Sequence, residues 1–292
     1  MRFLVTGKDG QVGFELQRAL APIGEVVACS RAELDLSQLQ TLRDRVRSIK
    51  PDWIVNAAAY TAVDKAESEE ALATTINGEA PGVLAEEAKH IGAGLIHFST
   101  DYVFDGAKSS PYVESDPTNP LGAYGRSKLV GEKSVLAVGG RAWIFRTSWV
   151  YAPRGKNFML TMLRLAKERP HLRVVADQFG APTSAQLIAE TTARFIARQI
   201  KQSSGGDRYH LTAGGNTSWH GFAEAIVNLG ARRGLCPEVP VQAISTTEYP
   251  LPARRPANSL LDHRKLEHEL GIAMAPWETG LQTSLDAVAR GH

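Results

Sequence analysis

Along the first half of the chain, the apolar positions alternate between two patterns, one typical of strands and one typical of helices. Short apolar runs of strand length recur, and stretches with helical spacing separate them, as in residues 11–21, where Val12, Leu16 and Leu20 share one face. The predicted strands are 2–6, 25–29, 53–56, 94–98 and 142–146. The predicted helices are 11–21, 39–49 with Ser37 as its N-cap, 79–90 and 121–138. Because strands alternate with helices, we expect an α/β fold, a Rossmann-like doubly wound parallel sheet with right-handed crossovers.

After residue 146 the alternation of strand and helix patterns becomes less regular. Further helices are predicted at 157–169, 184–200, 218–230 and 277–290. Residues 99–120 form a long Pro-, Asp- and Ser-rich connection, and connections of that length inside a compact domain are usually functional. We therefore predict a dinucleotide-binding domain in residues 1–150, joined by segments near 184–215, and a smaller α/β substrate-binding domain in residues 151–292.

Composition narrows the class of protein. The 292 residues are 43% hydrophobic, and a formal net charge of +2 gives no argument for a nucleic-acid or membrane partner. Two cysteines, Cys29 and Cys236, are too few for a disulfide framework, and the 8 histidines lack the paired spacing of a metal site. We see neither a signal-peptide pattern nor an apolar run of roughly 18 residues, so a cytoplasmic setting is expected.

Three glycines, Gly7, Gly10 and Gly13, follow the first strand and open the first helix. The first allows a tight turn, the second lets the backbone approach a pyrophosphate at the helix N-terminus, and the third lets helix and strand pack closely. The spacing is GxxGxxG rather than GxGxxG, and an ordinary strand–turn–helix is the alternative. We assign Gln11 and Val12 to the same predicted cofactor turn.

The second strand ends in Cys29-Ser30-Arg31, where an NAD-specific site usually places an acid. A hydroxyl followed by a guanidinium suits a 2′-phosphate better, although a solvated surface arginine is the alternative. Asp35 is a candidate contact to adenine, and Leu36 beside it is assigned to the same site. The predicted cofactor is therefore NADPH, with some tolerance of NADH.

Small residues follow the third strand, where they would let a cofactor lie close to the backbone, although strand–helix packing also favours alanine. The cofactor contacts assigned at the ends of the third and fourth strands are Ala57, Ala58, Ala59, Tyr60, Thr61 and Ser99.

Tyr124 and Lys128 lie four residues apart and hence on one helical face. A free tyrosine has a pKa of about 10, and a nearby ammonium favours the phenolate. Thr100 is placed to hydrogen-bond the same substrate oxygen. A Tyr-x-x-x-Lys pair arises by chance in many helices, so its interpretation depends on the glycine turn and on Ser-Thr-Asp at residues 99–101. Together these residues predict a hydride-transfer enzyme that protonates or deprotonates a carbonyl or alcohol oxygen, with Lys128 also a candidate to bind the nicotinamide ribose.

Two further features have a ligand-binding interpretation and a purely structural one. Trp149 follows a strand end and would stack on a sugar or pack in the core. Arg254 and Arg255, with Asn258, form a compact basic turn that suits a diphosphate or is a solvated charge pair.

Longer strings resemble the extended short-chain dehydrogenase/reductases and, more narrowly, the dTDP-4-dehydrorhamnose reductase family. They lie at residues 7–13, 55–67, 99–106, 124–128, 145–151, 177–183 and 255–259. The resemblance spans nearly the whole chain, and the strings at 55–67 and 177–183 are its most specific parts.

The resemblance implies NADPH-dependent reduction of the C4 keto group of dTDP-4-dehydro-6-deoxy-L-mannose to dTDP-L-rhamnose. It implies that Tyr124 protonates the developing alkoxide, that Lys128 lowers the tyrosine pKa and holds ribose, and that Thr100 orients the oxygen. The residues assigned to the substrate are Val63, Thr100, Asp101, Tyr102, Trp149, Arg255 and Asn258.

Some members of the resembled family form dimers around Mg²⁺ held by glutamates on two helices. The chain has Glu15 on the first helix, but Gln186 stands at the matching second position, with Glu190 one helical turn on. A neutral amide is a weaker ligand for Mg²⁺ than a carboxylate. We therefore keep only Glu15 as a candidate ligand and expect a monomer or a homodimer.

Two alternatives to this function stay open. One is reduction of a different nucleotide-linked keto-deoxysugar, or epimerisation, in which a retained NAD takes its hydride back. The other is a non-catalytic regulatory subunit, such as one that serves methionine adenosyltransferase. The presence of Thr100, Tyr124 and Lys128 together argues against the regulatory subunit.

Overall fold

The computed structural model describes residues 1–200 and 205–291. Its strands are, in chain order, β1 (Arg2–Thr6), β2 (Glu25–Cys29), β3 (Trp53–Asn56), β4 (Gly94–Thr100), β5 (Ala142–Thr147), β6 (Val150–Tyr151), β7 (Leu172–Val175), β8 (Phe179–Gly180), β9 (Thr183–Ser184), β10 (Arg208–His210), β11 (Thr217–Ser218) and β12 (Val241–Ile244). Six of them form a parallel sheet in the order β10-β5-β4-β3-β1-β2. The parallel α/β fold predicted from the sequence is confirmed.

Helices connect these strands, and several of them cover the two faces of the six-stranded sheet. They are α1 (Gln11–Leu20), α2 (Leu39–Ile49), α3 (Val63–Ala66), α4 (Glu70–Thr74), α5 (Ala80–Ile91), α6 (Ala123–Val138), α7 (Phe158–Glu168), α8 (Ala185–Gln199), α9 (Trp219–Ala231), α10 (Arg264–Leu270) and α11 (Trp277–Ala289). Among the described helices, none is long and apolar enough to cross a membrane.

Alternate residues of each central strand enter two separate cores, which makes the sheet doubly wound. Leu4 packs with residues of α2 and α5, whereas Phe3 and Val5 pack with residues of α1 and α8. Strands buried on both faces read as continuous apolar runs, which explains why β1 and β3 were recognisable from the sequence. Burial of these runs is the main force that holds the sheet between its helices.

A third core lies among α7, α9 and α11, around Met159, Phe222 and Leu281. Three two-stranded sheets accompany it, namely β7 with β12, β8 with β11, and β6 with β9. Between these parts the chain returns to the main sheet, because α8 packs on α1 and β10 pairs with β5. Within the segment near 184–215 that we expected to join the first domain, residues 201–204 lie outside the described residues. The division into two domains stays a prediction.

Some local predictions were wrong. Ser37 does not cap α2, because its backbone N–H donates to Asp35 Oδ1 and the helix begins two residues later. The helix predicted from residue 79 begins earlier, since α4, a π-helical turn (Thr75–Glu79) and α5 follow one another without a break. Strand β10 was not predicted, because three residues are too short to display a period of two.

Candidate functional site

The predicted site residues converge on the carboxyl ends of the sheet strands. The register pairs Thr6 with both Cys29 and Asn56, and Thr100 with Thr147, so these strands end at one edge. In open parallel sheets ligands bind outside this edge. The glycine turn, the β2 end, the β3 end and the Thr100 region therefore lie at one edge of the sheet, where we expect the ligand cleft.

The glycine turn fits close contact with a dinucleotide. Gly7 has φ 71°, and a Cβ added there would lie 2.9 Å from Ala58 Cα. A Cβ on Gly13 would lie 2.0 Å from Gly7 O, so α1 approaches the end of β1 this closely only because residue 13 is glycine. Among the described residues no side chain caps α1, whose N-cap is Gly10. The first-turn N–H groups are thus available to a pyrophosphate.

The segment after β3 is held against this turn by hydrogen bonds. Thr6 Oγ1 donates to Asn56 Oδ1 at 2.6 Å and accepts from Ala58 N at 3.0 Å. The Asn77 side chain holds both the N–H and the C=O of Tyr60. These contacts hold Ala58 beside Gly7, and the assignment of residues 57–59 to a cofactor stays a prediction.

The end of β2 contains an acid that the sequence analysis missed. Ser30 donates its N–H and its Oγ–H to Glu33 Oε2, each at 2.7 Å, and Lys8 Nζ lies 2.6 Å from the same oxygen. Ser30-x-x-Glu33 has the spacing of a capping box, and that spacing was the overlooked signal. Arg31 is exposed and lies 3.4 Å from Asp35.

Leu36, which we assigned to the cofactor site, is buried in the core cluster with Leu34. Its side chain therefore stabilises the packing of helices on the sheet and is not exposed to bind a cofactor. The Asp35 carboxylate accepts the Ser37 N–H, which lowers the pKa of Asp35.

The catalytic candidates meet where β4 ends and α6 begins. A Cβ on Gly125 would lie 2.2 Å from Tyr102 O, so the start of α6 rests directly on the turn after Thr100. Glu67 Oε1 accepts the Ala123 N–H at 2.9 Å and caps the helix. The rings of Tyr124 and Tyr102 pack edge to face, with centroids 5.8 Å apart. Sequence spacing alone did not identify Glu67 as the cap.

The surroundings of Tyr124 favour its protonated form. Burial raises the pKa of Tyr124 to about 12, the Asp101 carboxylate adds to the shift, and the Thr100 hydroxyl opposes it. Burial lowers the pKa of Lys128 to about 8. Lys128 Nζ donates to Phe98 O at 2.6 Å and is not among the groups that shift the pKa of Tyr124, so its role in lowering that pKa stays a prediction.

A buried histidine lies beneath Lys128 and also escaped the sequence analysis. His97 Nε2 lies 3.3 Å from Lys128 Nζ, and His97 Nδ1 lies 3.0 Å from Asn56 Nδ2. Burial and the charge of Lys128 hold the pKa of His97 well below its ordinary value, so the imidazole is neutral. Lys128 is thereby connected through Asn56 to Thr6 beside the glycine turn.

Two predicted ligand residues are engaged elsewhere. The Ser99 hydroxyl donates to Glu132 Oε1 at 2.6 Å, within a buried pair in which Arg146 and Glu132 approach to 2.6 Å. The Asn258 amide donates to the backbone carbonyls of Lys108 and Ser110, so it fastens the 99–120 connection. Both side chains therefore support the cleft walls.

The substrate side of the cleft is built from several elements. Asp101 is buried, which raises its pKa to about 6, and Thr100 Oγ1 donates to its Oδ1 at 3.0 Å. Arg255 bonds to Asp64 at 3.2 and 2.9 Å, next to Val63 on α3. The basic turn is thus partly neutralised by an acid that the sequence analysis did not single out.

Trp149 has a left-handed backbone, with φ 49°. Its indole stacks on Trp219 with centroids 3.6 Å apart, and a Cβ on Gly180 would lie 2.5 Å from Trp149 Cε2. Strained residues of this kind cost of order 1–3 kcal/mol and cluster at ligand sites. Trp219 is a further aromatic residue near the cleft that sequence reasoning missed.

Comparison with known proteins identifies the family and supports the fold. The family model described as "RmlD substrate binding domain" matches residues 1–290. The chain belongs to the RmlD substrate binding domain family. It is similar to the dTDP-4-dehydrorhamnose reductase of Burkholderia thailandensis, with 54% identity over 284 residues that cover 95% of each chain.

Solved structures of RmlD family members resemble the whole chain. The dTDP-4-dehydrorhamnose reductase of Clostridium acetobutylicum superposes with a TM-score of 0.90 at 38% identity, covering 99% of both chains. That of Bacillus anthracis, solved in complex with NADP, gives 0.88 at 35% identity, covering 98% of this chain and 99% of the other.

The metal candidates of this RmlD family chain lie on α1 and α8. Burial raises the pKa of Glu15, and the charge of Glu190 adds to it. Gln186 Nε2 donates to Glu190 Oε1 at 2.8 Å. Glu190 is the carboxylate that could replace Gln186 as a metal ligand, and it is engaged in this hydrogen bond. In residues 1–200 and 205–291, no group of three or more His, Cys, Asp or Glu side chains is placed to hold a metal.

Proposed function

We propose that this chain is an NADPH-dependent reductase of the C4 keto group of dTDP-4-dehydro-6-deoxy-L-mannose, which it converts to dTDP-L-rhamnose in the final step of dTDP-rhamnose synthesis. One observation carries the proposal. The family model matches residues 1–290. Support comes from Thr100, Tyr124 and Lys128, which belong to the end of β4 and the start of α6, and from the glycine turn at the same edge of the sheet. The relative solved with NADP supports the cofactor, and NADH is proposed as a poorer alternative.

In this proposal Tyr124 is the proton donor. When bound, the nicotinamide cofactor supplies a hydride to the carbonyl carbon. A phenol with a pKa of about 12 keeps its proton at neutral pH and releases it to a more basic alkoxide oxygen. Thr100 would turn its hydroxyl from Asp101 toward the same oxygen and donate a hydrogen bond to it. Lys128 would hold the hydroxyls of the nicotinamide ribose.

The sugar and its diphosphate are assigned to the other wall of the cleft. Val63, Asp101, Tyr102 and Trp149 are assigned to the sugar. Val63 lies on α3, Asp101 and Tyr102 form the turn after β4, and Trp149 follows the end of β5, which pairs with β4. Arg255 would approach the diphosphate while bonded to Asp64, which fixes the direction of its guanidinium. Asn258 would act through the loop that it fastens.

The test is NADPH oxidation with substrate made in situ from dTDP-glucose by the upstream dehydratase and epimerase. We expect loss of nicotinamide absorbance that requires both upstream enzymes and matches product stoichiometrically. Conversion without net NADPH oxidation would instead indicate an epimerase. NADPH binding without turnover would favour another keto-sugar or a regulatory subunit.

We also infer a cytoplasmic setting, because phosphorylated cofactor and nucleotide sugar are both metabolites of that compartment. A monomer or a homodimer is proposed, and light scattering of the purified chain with and without Mg²⁺ separates them. A dimer that persists in a chelator would show that Mg²⁺ is not its link.

A further inference from the structure

The Glu33 carboxylate occupies a small anion site at the end of β2. Three donors converge on its Oε2, namely Ser30 N and Ser30 Oγ at 2.7 Å and Lys8 Nζ at 2.6 Å. The Lys8 hydrogen bond is the main reason that the pKa of Glu33 falls to about 2. Glu33 is therefore ionised throughout the working pH range. Its side chain is 47% exposed, so the carboxylate also contacts water.

This anion site lies where the adenosine ribose of a dinucleotide is recognised. β1 and β2 are parallel neighbours, and Lys8 N donates to Cys29 O, so the glycine turn touches the end of β2. In folds of this kind an acid about 20 residues after the glycine turn accepts from the ribose 2′-hydroxyl, whereas basic residues there receive a 2′-phosphate. Glu33 is such an acid, Lys8 and Arg31 are such basic residues, and Ser30 adds a neutral hydroxyl donor.

We propose that Glu33 sets the choice between NADH and NADPH by competing with the 2′-phosphate for Lys8 and Ser30. With NADH, the carboxylate keeps these donors and its free lone pairs accept from the 2′-hydroxyl. With NADPH, the carboxylate swings into solvent, and Lys8, Ser30 and Arg31 bind the phosphate in its place. This inference rests on the cofactor of the proposed function and deepens it.

The competition has a physical basis in charge and geometry. A phosphate and a carboxylate at the same donors repel each other, so one of them must leave. Glu33 can leave because it is half-exposed and no apolar packing holds its carboxylate among the described residues. Arg31 is exposed and bonded only loosely to Asp35, at 3.4 Å, so it is free to turn toward the phosphate.

The decisive variant is Glu33→Gln, because glutamine keeps the capping-box hydrogen bond to Ser30 and removes only the charge. We expect the affinity for NADPH to rise relative to that for NADH by on the order of tenfold. Lys8→Gln is expected to move the ratio the opposite way. Dissociation constants for both nucleotides, and for adenosine 2′,5′-bisphosphate as a fragment, are measured by calorimetry at fixed low salt.

Glu25→Gln is the matched control. Glu25 lies at the opposite end of the same strand and pairs with Arg2, so its loss removes an equal charge far from the cleft. An unchanged NADPH-to-NADH affinity ratio in Glu33→Gln, or an equal shift in Glu25→Gln, overturns the proposal.

Measured nucleotide affinities also test the role of Glu33 independently of the proposed reaction. If the chain binds both nucleotides but reduces no keto-sugar, the proposed reaction fails while the role of Glu33 is still decided by the affinity ratio. If the wild-type chain binds neither nucleotide, both are overturned together.

Discussion

At the scale of single residues, the cleft depends on groups whose properties the surrounding protein alters. Burial keeps Tyr124 protonated and makes Lys128 a weaker base than free lysine. The tyrosine–lysine pair is visible in the sequence, but the directions of its pKa shifts are not, because they depend on how deeply each group lies and on which charges are near.

Replacing the proposed proton donor tests this directly. Tyr124→Phe should lower kcat by about 10²–10⁴-fold, since general acid catalysis typically contributes that much. NADPH affinity, measured by calorimetry, should stay near that of the wild type. Tyr249→Phe, at an exposed tyrosine, is the control for the chemical change. Ordinary turnover in Tyr124→Phe would remove the tyrosine from the mechanism.

Arg31 gives a second prediction at this scale. Arg31→Asp should shift preference from NADPH toward NADH, because an acid at the end of β2 repels a 2′-phosphate and accepts from a 2′-hydroxyl. The measurement is kcat/KM with each nucleotide, with Arg232→Asp at another exposed arginine as control. An unchanged ratio would mean that Arg31 is a solvated surface residue and that Lys8 and Ser30 recognise this end alone.

At the scale of elements, α6 holds the catalytic residues in place through close backbone contacts and a buried ion pair. A Cβ on Gly131 would lie 2.1 Å from Asn77 O, just as one on Gly125 would meet Tyr102 O. Glu132 on the same helix bonds to Ser99 on β4 and to Arg146 on β5. The helix and both strands could be predicted from sequence periodicity, but this pairing could not, because its members are far apart in the chain.

Breaking the buried pair should destabilise the fold. Glu132→Gln leaves Arg146 as an uncompensated buried charge and should lower the free energy of unfolding by about 3–5 kcal/mol. Glu70→Gln is the matched control, because it breaks an exposed pair between α4 and Arg126 of α6 and should cost about 1 kcal/mol or less. Urea denaturation of both variants makes the comparison. Equal losses of unfolding free energy would show that the buried pair stabilises the fold no more than the exposed pair does.

At the scale of the whole molecule, the buried Asp101 couples folding to pH. Its pKa rises from an ordinary 3.8 to about 6 because of burial, so the folded chain binds a proton more readily than the unfolded chain. Its contribution to stability is therefore fully present below pH 3.8 and is lost as pH rises through about 6.

Asp101→Asn tests this coupling, because an amide does not titrate. Between about pH 4 and pH 7 the wild type should lose up to about 3 kcal/mol of unfolding free energy relative to Asp101→Asn. Urea denaturation of both proteins over that range provides the measurement. Parallel pH profiles would show that the folded pKa of Asp101 is close to its ordinary value.

The sequence by itself determined the features that depend on near neighbours. The apolar periods defined most elements of the parallel sheet and its helices. The sequence also provided the candidate cofactor turn at residues 7–13 and the candidate catalytic pair in residues 124–128. These patterns are readable because backbone preference and face alternation act over a few residues.

Only the tertiary structure decided which distant groups share one place. It brought Lys8 to Glu33, His97 to Lys128 and Trp149 to Trp219, and it placed Leu36 in the core. Hydrogen bonds and burial of this kind arise when strands and helices pack together, so no local pattern encodes them. The fold class therefore follows from the period of the sequence, whereas the protonation of the site and its proposed cofactor preference depend on contacts made on folding.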